Sequence, residues 1–250
     1  MSNFIVALAA ASMSLGWAKI NLISESLGYV LIAFLGTFCV YTYQTNFSAY
    51  RENKSFVKEV FFALIFVFLA LSIFFFLPFD TEVILLVALV AALSILYCYP
   101  IINFSLRSVP YLKGPLVALI WTLVTFVLPL MHEGMLGTLN ALHFVSAFFL
   151  FWGLIILVDI RDLRSDSISL RTIPQCFGWR NGKLIAFLFF IQFQLITAIF
   201  NSDMRYNIFF HVLFLTFYGM VATLNNETKR VYFTSADLLL VLLGIVFYFA

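Results

Sequence analysis

The chain has 250 residues, of which 64% are hydrophobic and only 10% are charged, and its mean hydropathy is +1.06. A soluble domain carries about 25% charged residues, so this composition excludes a soluble globular protein and indicates a polytopic membrane protein. The net charge of +2 identifies no class of partner. Nothing in the sequence resembles a nucleic-acid-binding module, so no nucleic acid is expected as a partner.

The cysteines and histidines are dispersed along the chain. They are Cys39, Cys98, Cys176, His132, His143 and His211. No Cys-x-x-Cys spacing occurs, so neither a disulfide framework nor a zinc site is indicated. The scattered histidines likewise predict no histidine metal cluster.

Nine segments are long and apolar enough to cross a bilayer, which takes about 20 mostly apolar residues. They lie near 4–23, 27–46, 56–78, 81–100, 112–131, 140–160, 183–200, 206–224 and 233–250. We therefore predict an all-α membrane protein of nine transmembrane helices, forming a single polytopic domain over residues 1–250. The first segment lacks a basic region before it, which favours an uncleaved helix over a signal peptide.

The basic residues predict the orientation in the membrane. With a cytoplasmic N-terminus, 12 of the 14 Lys and Arg residues fall in cytoplasmic connections, and only Lys19 and Arg205 fall on the opposite side. Positive charge is enriched on the cytoplasmic side of membrane proteins, so this asymmetry supports both the orientation and the span count. The C-terminus is then expected outside, and the polar loops that follow spans 2, 4 and 6 in the cytoplasm.

Three aspartates follow the sixth apolar segment at steps of three and four residues: Asp159, Asp162 and Asp166. On a helix these steps place the side chains within a wedge of roughly 60°. Like charges at a membrane helix end repel, and a divalent cation between them would relieve that repulsion. Carboxylate oxygens suit Mg²⁺, which usually also binds substrate phosphate. The alternative is a solvated helix end neutralised by Arg161 and Arg164.

Polar and basic residues in the cytoplasmic loops complete a candidate diphosphate site. The candidates are Asn46 and Arg51 after span 2, Arg107 and Lys113 after span 4, and Arg171 after span 6. Arg and Lys bind phosphate oxygens through charge-assisted hydrogen bonds, and metal-binding carboxylates would complement them. The alternative for each base is that it serves topology alone.

The sixth-span segment resembles the second aspartate-rich motif of the UbiA-type intramembrane prenyltransferases. The matching residues are DIRD at 159–162, Asp166, RTIP at 171–174 and Gly178. The resemblance implies an all-α bundle around a central cavity and catalytic, metal-binding roles for Asp159, Asp162 and Asp166. It also implies Mg²⁺-dependent transfer of a prenyl group from an isoprenoid diphosphate to a small, often aromatic acceptor, within the lipid bilayer.

The first aspartate-rich motif of that family has no counterpart here. It is expected near the end of span 2, where residues 41–50 read YTYQTNFSAY and contain no acid. Any Mg²⁺ is therefore expected to bind mainly through the span-6 aspartates, with neutral or basic groups such as Asn46 and Arg51 on the span-2 side. On this basis Asp162→Asn should abolish binding and Asn46→Ala should cost much less.

Two other functions remain open. The first is a catalytically inactive homologue of the same fold that binds an isoprenoid or supports a partner. The second is a transporter. The small number of acidic residues at mid-membrane depth argues against it. Its candidate polar residues are Asp237, Gln192 and Gln194. Polar residues of this kind more often form hydrogen bonds between helices.

Overall fold

In the computed structural model, the described residues are 2–20, 27–50, 80–98, 106–132, 141–164, 166–201, 207–224 and 230–249. They form eight long helices and short 3₁₀ turns, with no strand among them. The helices are α1 (Ser2–Ile20), α2 (Leu27–Tyr50), α3 (Thr81–Cys98), α4 (113–132), α5 (Ala141–Arg161), α6 (Ile173–Phe200), α7 (Ile208–Thr223) and α8 (Arg230–Phe249).

The prediction of an all-α membrane protein is confirmed. Eight of the nine expected spans coincide with a helix, and the third, 56–78, lies outside the described residues. In the described part, Asn3–Ile20, Lys113–Met131, Ala141–Arg164 and Ile173–Phe200 are long and apolar enough to cross a membrane, and four shorter apolar helices accompany them. Large apolar side chains such as Phe209 and Phe249 stay exposed, which suits contact with lipid. The chain is an integral membrane protein.

The described helices pack as a closed ring. Going round it, α1 contacts α8, α8 contacts α7, α7 contacts α6, α6 contacts α5, α5 contacts α4, α4 contacts α3, α3 contacts α2, and α2 returns to α1. Helix α1 also packs against the middle of α4 across the ring. Trp17 of α1 packs against Phe126 of α4, with 4.1 Å between ring centroids and 41° between the ring planes. Both rings are buried inside the ring of helices.

Helices α1 and α8 touch backbone to backbone. A Cβ placed on Gly16 would lie 2.1 Å from the Gly244 carbonyl oxygen, and one on Gly244 would lie 2.3 Å from the Ser12 carbonyl carbon. In lipid there is little hydrophobic force between helices, so close approach of small residues supplies the packing energy instead. The two glycines therefore fix how closely the terminal helices of the chain approach.

Helix α4 contains a π-helical turn in its middle. It runs as an α-helix over Lys113–Thr122, as a π-turn over Leu123–Val127, and again as an α-helix over Leu128–His132. The Leu128 amide donates to the carbonyl of Leu123, five residues earlier. Pro129 follows at once and has no N–H to continue the normal pattern. Turns of this kind occur often at functional sites.

Helix α6 begins ten residues earlier than the sequence predicted for the seventh span. Thr172 is its N-cap residue, and the Thr172 amide donates to the Gln175 side chain at 3.0 Å. Pro174 lies in the first turn, where its missing N–H costs nothing. Gly178, with φ of 81° and ψ of 157°, breaks the helical geometry and kinks α6. The segment before this kink is the part that the apolar pattern did not reveal.

The polar residues of α6 were expected to bond between helices. Gln194 does so: its amide lies 3.0 Å from His211 of α7, and it accepts a hydrogen bond from Tyr218 of the same helix. The Oε1 atom of Gln192 is buried without a hydrogen-bond partner among the described residues. The bonds of Gln194 are therefore structural contacts between α6 and α7.

Candidate functional site

The first residue of α4 meets the last turn of α5. Lys113 begins α4, and Asp159 lies two residues before the end of α5; their exposed fractions are 6% and 3%. A Cβ on the next residue, Gly114, would lie 2.8 Å from Nε1 of Trp152 on α5. The absence of a side chain at Gly114 thus lets the two helices approach closely. This contact brings a buried lysine to a buried aspartate.

Lys113 lies between two carboxylates. Its Nζ is 2.7 Å from Asp159 Oδ1 and donates a hydrogen bond to Asp166 Oδ2. Arg107, which is half exposed, approaches the other oxygen of Asp166 at 3.6 Å. Two carboxylates are therefore matched by two basic side chains, one buried and one at the surface.

The three aspartates do not share one helix face. Helix α5 ends at Arg161, a 3₁₀ turn follows over Asp162–Arg164, and the Asp166 amide donates to the carbonyl of Asp162 at 2.8 Å. This fold-back brings Asp166 to Lys113. The spacing argument required a continuous helix, which this segment does not form.

Asp162 is engaged by its neighbour in sequence. Its two oxygens accept hydrogen bonds from Arg161 Nε at 2.5 Å and Arg161 Nη2 at 2.6 Å. Arg161 also interacts electrostatically with Asp237 of α8. For this one aspartate, the structure shows the neutralisation by arginine that the alternative interpretation described.

Two residues with left-handed backbone conformation flank the site. Tyr111 has φ of 65° and Arg171 has φ of 48°, and they are the described non-glycine residues with positive φ. The Tyr111 amide donates to the Leu170 carbonyl at 2.9 Å, and the Arg171 guanidinium lies over the Tyr111 ring at 5.9 Å. This pairing joins the loop before α4 to the loop before α6. It places Arg171 beside the segment that carries Lys113.

The side chains of the two remaining predicted residues lie outside the described part of the chain. Arg51 is not among the described residues at all. The backbone of Asn46 belongs to α2, and its side chain is not among those described. Their roles toward diphosphate stay predictions.

The donor chemistry of the site suits Mg²⁺ bound together with a phosphate. Among the described residues no group of three or more His, Cys, Asp or Glu side chains is arranged to hold a metal by itself. Mg²⁺ commonly uses one or two carboxylates, with substrate phosphates completing its shell. Asp159 Oδ1 is buried and faces the Lys113 ammonium at 2.7 Å. A hard cation would therefore bind this oxygen in place of the ammonium.

An apolar cavity of about 130 Å³ opens between α1, α2, α3 and α4. Its wall includes aliphatic side chains of all four helices and the rings of Tyr41 and Trp121. The Trp121 indole donates to the Tyr41 hydroxyl at 3.2 Å, which fixes both rings. The cavity therefore has two linked aromatic rings, one from α2 and one from α4, in an otherwise largely aliphatic wall.

Tyr41 and Trp121 are site residues that the sequence analysis did not identify. The 32 phenylalanines made any choice of an aromatic lining arbitrary. The spacing from Lys113 gave no signal either, because eight residues along an α-helix place Trp121 about 80° round the helix from Lys113. Tyr41 opens the stretch in which the missing acidic motif was sought.

The fold matches solved structures of a UbiA homolog from Archaeoglobus fulgidus. The structure bound to DMAPP and Mg²⁺ is 15% identical over 99% of this chain and 95% of that chain, with a TM-score of 0.65. The structure bound to GPP and Mg²⁺ is 14% identical over the same shares, also with a TM-score of 0.65. A third, bound to Cd²⁺, is 14% identical over 99% and 98%, with a TM-score of 0.63.

No family model and no curated protein sequence matches the chain. At 14–15% identity, the structural likeness describes the architecture and leaves the activity open. The likeness extends over nearly the whole of both chains, which confirms the expectation drawn from the aspartate-rich segment. The chain has the UbiA-type fold.

Proposed function

We propose that this protein transfers a prenyl group from an isoprenoid diphosphate to a small acceptor, with Mg²⁺ as cofactor. The observation that carries the proposal is the buried group of Lys113, Asp159 and Asp166, which lies at the N-terminal end of α4. The later turns of α4 line an apolar cavity. This is the arrangement that a molecule with a charged head and an apolar tail needs. Support comes from the solved structures of the same fold, whose ligands are DMAPP, GPP and Mg²⁺.

The charged end of the donor would bind at Lys113, with Arg107 and Arg171 closing the site from the two loops. Asn46 and Arg51 would approach from the end of α2. Asp159 and Asp166 would hold the metal, and Asp162 would join them once Arg161 released it. Bound Mg²⁺ would neutralise the charge that develops on the leaving diphosphate.

The apolar tail would extend along α4 into the cavity. Eight residues of helix separate Lys113 from Trp121, a rise of about 12 Å, which allows a short isoprenoid chain to reach the Tyr41 and Trp121 rings. In the reaction the carbon–oxygen bond to diphosphate breaks, the acceptor donates an electron pair to that carbon, and the acceptor loses a proton. Ring faces stabilise the cationic carbon, and the apolar wall excludes water that would otherwise capture it.

The transfer reaction is tested directly with purified protein in lipid. Radiolabelled geranyl diphosphate is supplied with Mg²⁺ and a panel of small acceptors, in which aromatic compounds are the first class. The proposal predicts a labelled, organic-soluble product that is absent with EDTA and absent from the Asp159→Asn protein. Tight donor binding without diphosphate release for any acceptor would contradict the enzymatic proposal.

A catalytically inactive isoprenoid-binding protein is the second candidate. The observation that favours it is the absence of acid between Tyr41 and Arg51, which removes half of the metal ligands expected from the family resemblance. Its expected signature is donor binding that depends little on Mg²⁺, together with no turnover.

Single substitutions rank the three aspartates. Asp159→Asn and Asp166→Asn are expected to weaken Mg²⁺-dependent donor binding at least tenfold, because each removes a carboxylate that faces Lys113. We expect a smaller loss for Asp162→Asn than the sequence alone suggested, since Arg161 already holds that carboxylate. Asp80→Asn is the control, because Asp80 is exposed and directly precedes α3. An equal loss of Mg²⁺-dependent donor binding in all four variants would contradict the assignment of Asp159 and Asp166 to the site.

A further inference from the structure

The Lys113 ammonium occupies the position that a cation bridging Asp159 and Asp166 would take. It contacts both carboxylates and is itself only 6% exposed. The backbone beneath it is fixed, because Gly114 packs against Trp152 without room for a Cβ. Any movement of the ammonium must therefore come from rotation of the flexible lysine side chain.

The charges of this group are already balanced. Asp159 and Asp166 carry two negative charges, and Lys113 and Arg107 supply two positive charges within 3.6 Å of them. A Mg²⁺ ion arriving alone would add two positive charges to a neutral group and would have to displace a buried ammonium. The displaced ammonium would have no counterion, which is costly away from water.

A diphosphate changes this balance. Its oxygens accept hydrogen bonds from lysine and arginine, so Lys113 and Arg107 gain new partners when they leave the carboxylates. The vacated carboxylate oxygens then become available to Mg²⁺, which prefers to complete its shell with phosphate oxygens.

We infer that Lys113 is a built-in counterion that keeps Mg²⁺ from binding alone, so that metal and diphosphate enter this site together. The inference rests on the proposed function for its diphosphate ligand. It adds a role that the fold does not specify: the lysine competes with the metal in the empty state and binds the donor in the loaded state.

Mg²⁺ affinity in the absence of any diphosphate tests this role. Lys113→Met keeps the apolar stem of the side chain and removes the ammonium. We expect calorimetry to show Mg²⁺ binding at least tenfold tighter in this variant than in the wild type, and Mg²⁺ alone to raise its melting temperature. Mg²⁺ affinity equal to or weaker than that of the wild type would overturn the inference.

Lys183→Met is the matched control. Lys183 donates to the carbonyl oxygens of Ala222 at 2.8 Å and Leu224 at 2.7 Å, where α7 ends. Its loss removes the same charge without changing the surroundings of Asp159 or Asp166. Mg²⁺ affinity in this variant is expected to equal that of the wild type, and an equal gain in both variants would show a general charge effect and overturn the inference.

A wild-type measurement keeps the inference testable if Lys113→Met does not fold. Electron paramagnetic resonance of Mn²⁺ should show little bound ion with protein alone and a bound signal once non-hydrolysable geranyl thiodiphosphate is added, beyond a protein-free control. Mn²⁺ that binds equally well without the analogue would overturn the inference. A different result would contradict the proposed function, namely that geranyl diphosphate does not bind the wild-type protein at any Mg²⁺ concentration.

Discussion

At the scale of single residues, the site depends on a few side chains in unusual surroundings. Lys113 and Asp159 are charged and almost completely buried, and each is compensated by the other. Removing one member of such a pair typically costs about 3–5 kcal/mol, because an unpaired charge stays buried. Tyr111 and Arg171 add backbone strain beside them. Strained residues cluster where a structure must hold a particular geometry for function.

Tyr111→Asn separates strain from function. Asparagine tolerates the left-handed conformation, which costs most other residues roughly 1–2 kcal/mol. We expect the free energy of unfolding to stay unchanged or to rise by up to about 1 kcal/mol. Donor affinity should fall roughly two- to fivefold, because Arg171 loses the ring over which it lies.

Thermal unfolding and donor titration measure the two effects of Tyr111→Asn. Tyr111→Phe is the control: it keeps the ring and the strain and removes only the 3.4 Å hydrogen bond that the Tyr111 hydroxyl accepts from Arg171. Its stability should match the wild type, and its donor affinity should fall less than that of Tyr111→Asn. A less stable Tyr111→Asn protein with unchanged affinity would show that the conformation serves the loop alone.

At the scale of helices, close contacts between elements determine where the functional side chains lie. The α4–α5 contact at Gly114 sets the position of Lys113, and the kink at Gly178 allows α6 to begin beside the aspartates. The α1–α8 contact at Gly16 and Gly244 involves none of the three aspartates or Lys113. It is therefore expected to affect stability more than binding.

Gly244→Ala tests the α1–α8 contact. The new Cβ would meet Ser12 backbone atoms at 2.3 Å and 2.4 Å, so one helix must move. Overpacking of this kind costs about 1–3 kcal/mol in unfolding free energy. Thermal unfolding in detergent should show the loss.

Gly219→Ala is the matched control on α7, where a Cβ meets nothing within 4 Å. Alanine favours helix over glycine by roughly 1 kcal/mol, so this variant should be as stable as the wild type or more stable. Equal melting temperatures for the two variants would contradict the tight α1–α8 contact.

Helices were the part of the structure that the sequence predicted best. Runs of about 20 apolar residues locate a membrane helix with little ambiguity, because the bilayer itself sets the length. The start of α6 was missed, since residues 173–182 are too polar to extend an apolar run and the helix there is specified by Thr172, Gln175 and Pro174. The fold-back at 162–166 was missed for a related reason: spacing on a helix says nothing about where the helix ends.

At the scale of the whole molecule, two regions of the chain meet that are about 50 residues apart. Lys113 was predicted to lie near the aspartates only because both follow cytoplasmic ends of spans. Its insertion between Asp159 and Asp166 depends on the packing of α4 on α5 and on the turn after α5, which no local pattern specifies. The lining of the cavity by Tyr41 and Trp121 likewise results from three-dimensional packing.

The orientation of the whole molecule in the membrane can also be tested. The native cysteines are first replaced by serine, and Asp80→Cys and Arg164→Cys are then introduced one at a time. Both positions are exposed. The distribution of 12 basic residues against 2 predicts labelling of position 164 from the cytoplasmic side and of position 80 from the opposite side. Sealed vesicles of known orientation and a membrane-impermeant maleimide give the readout. Labelling of both positions from one side would contradict the predicted topology.

The central claim is that Asp159, Asp166 and Lys113 form a Mg²⁺-dependent site for an isoprenoid diphosphate. Calorimetric titration of geranyl diphosphate into the wild-type protein, with Mg²⁺ and then with EDTA, tests it most directly. The account predicts saturable binding that weakens at least tenfold in EDTA and is lost to the same degree in Asp159→Asn with Mg²⁺ present. Binding of equal strength under all three conditions would contradict it.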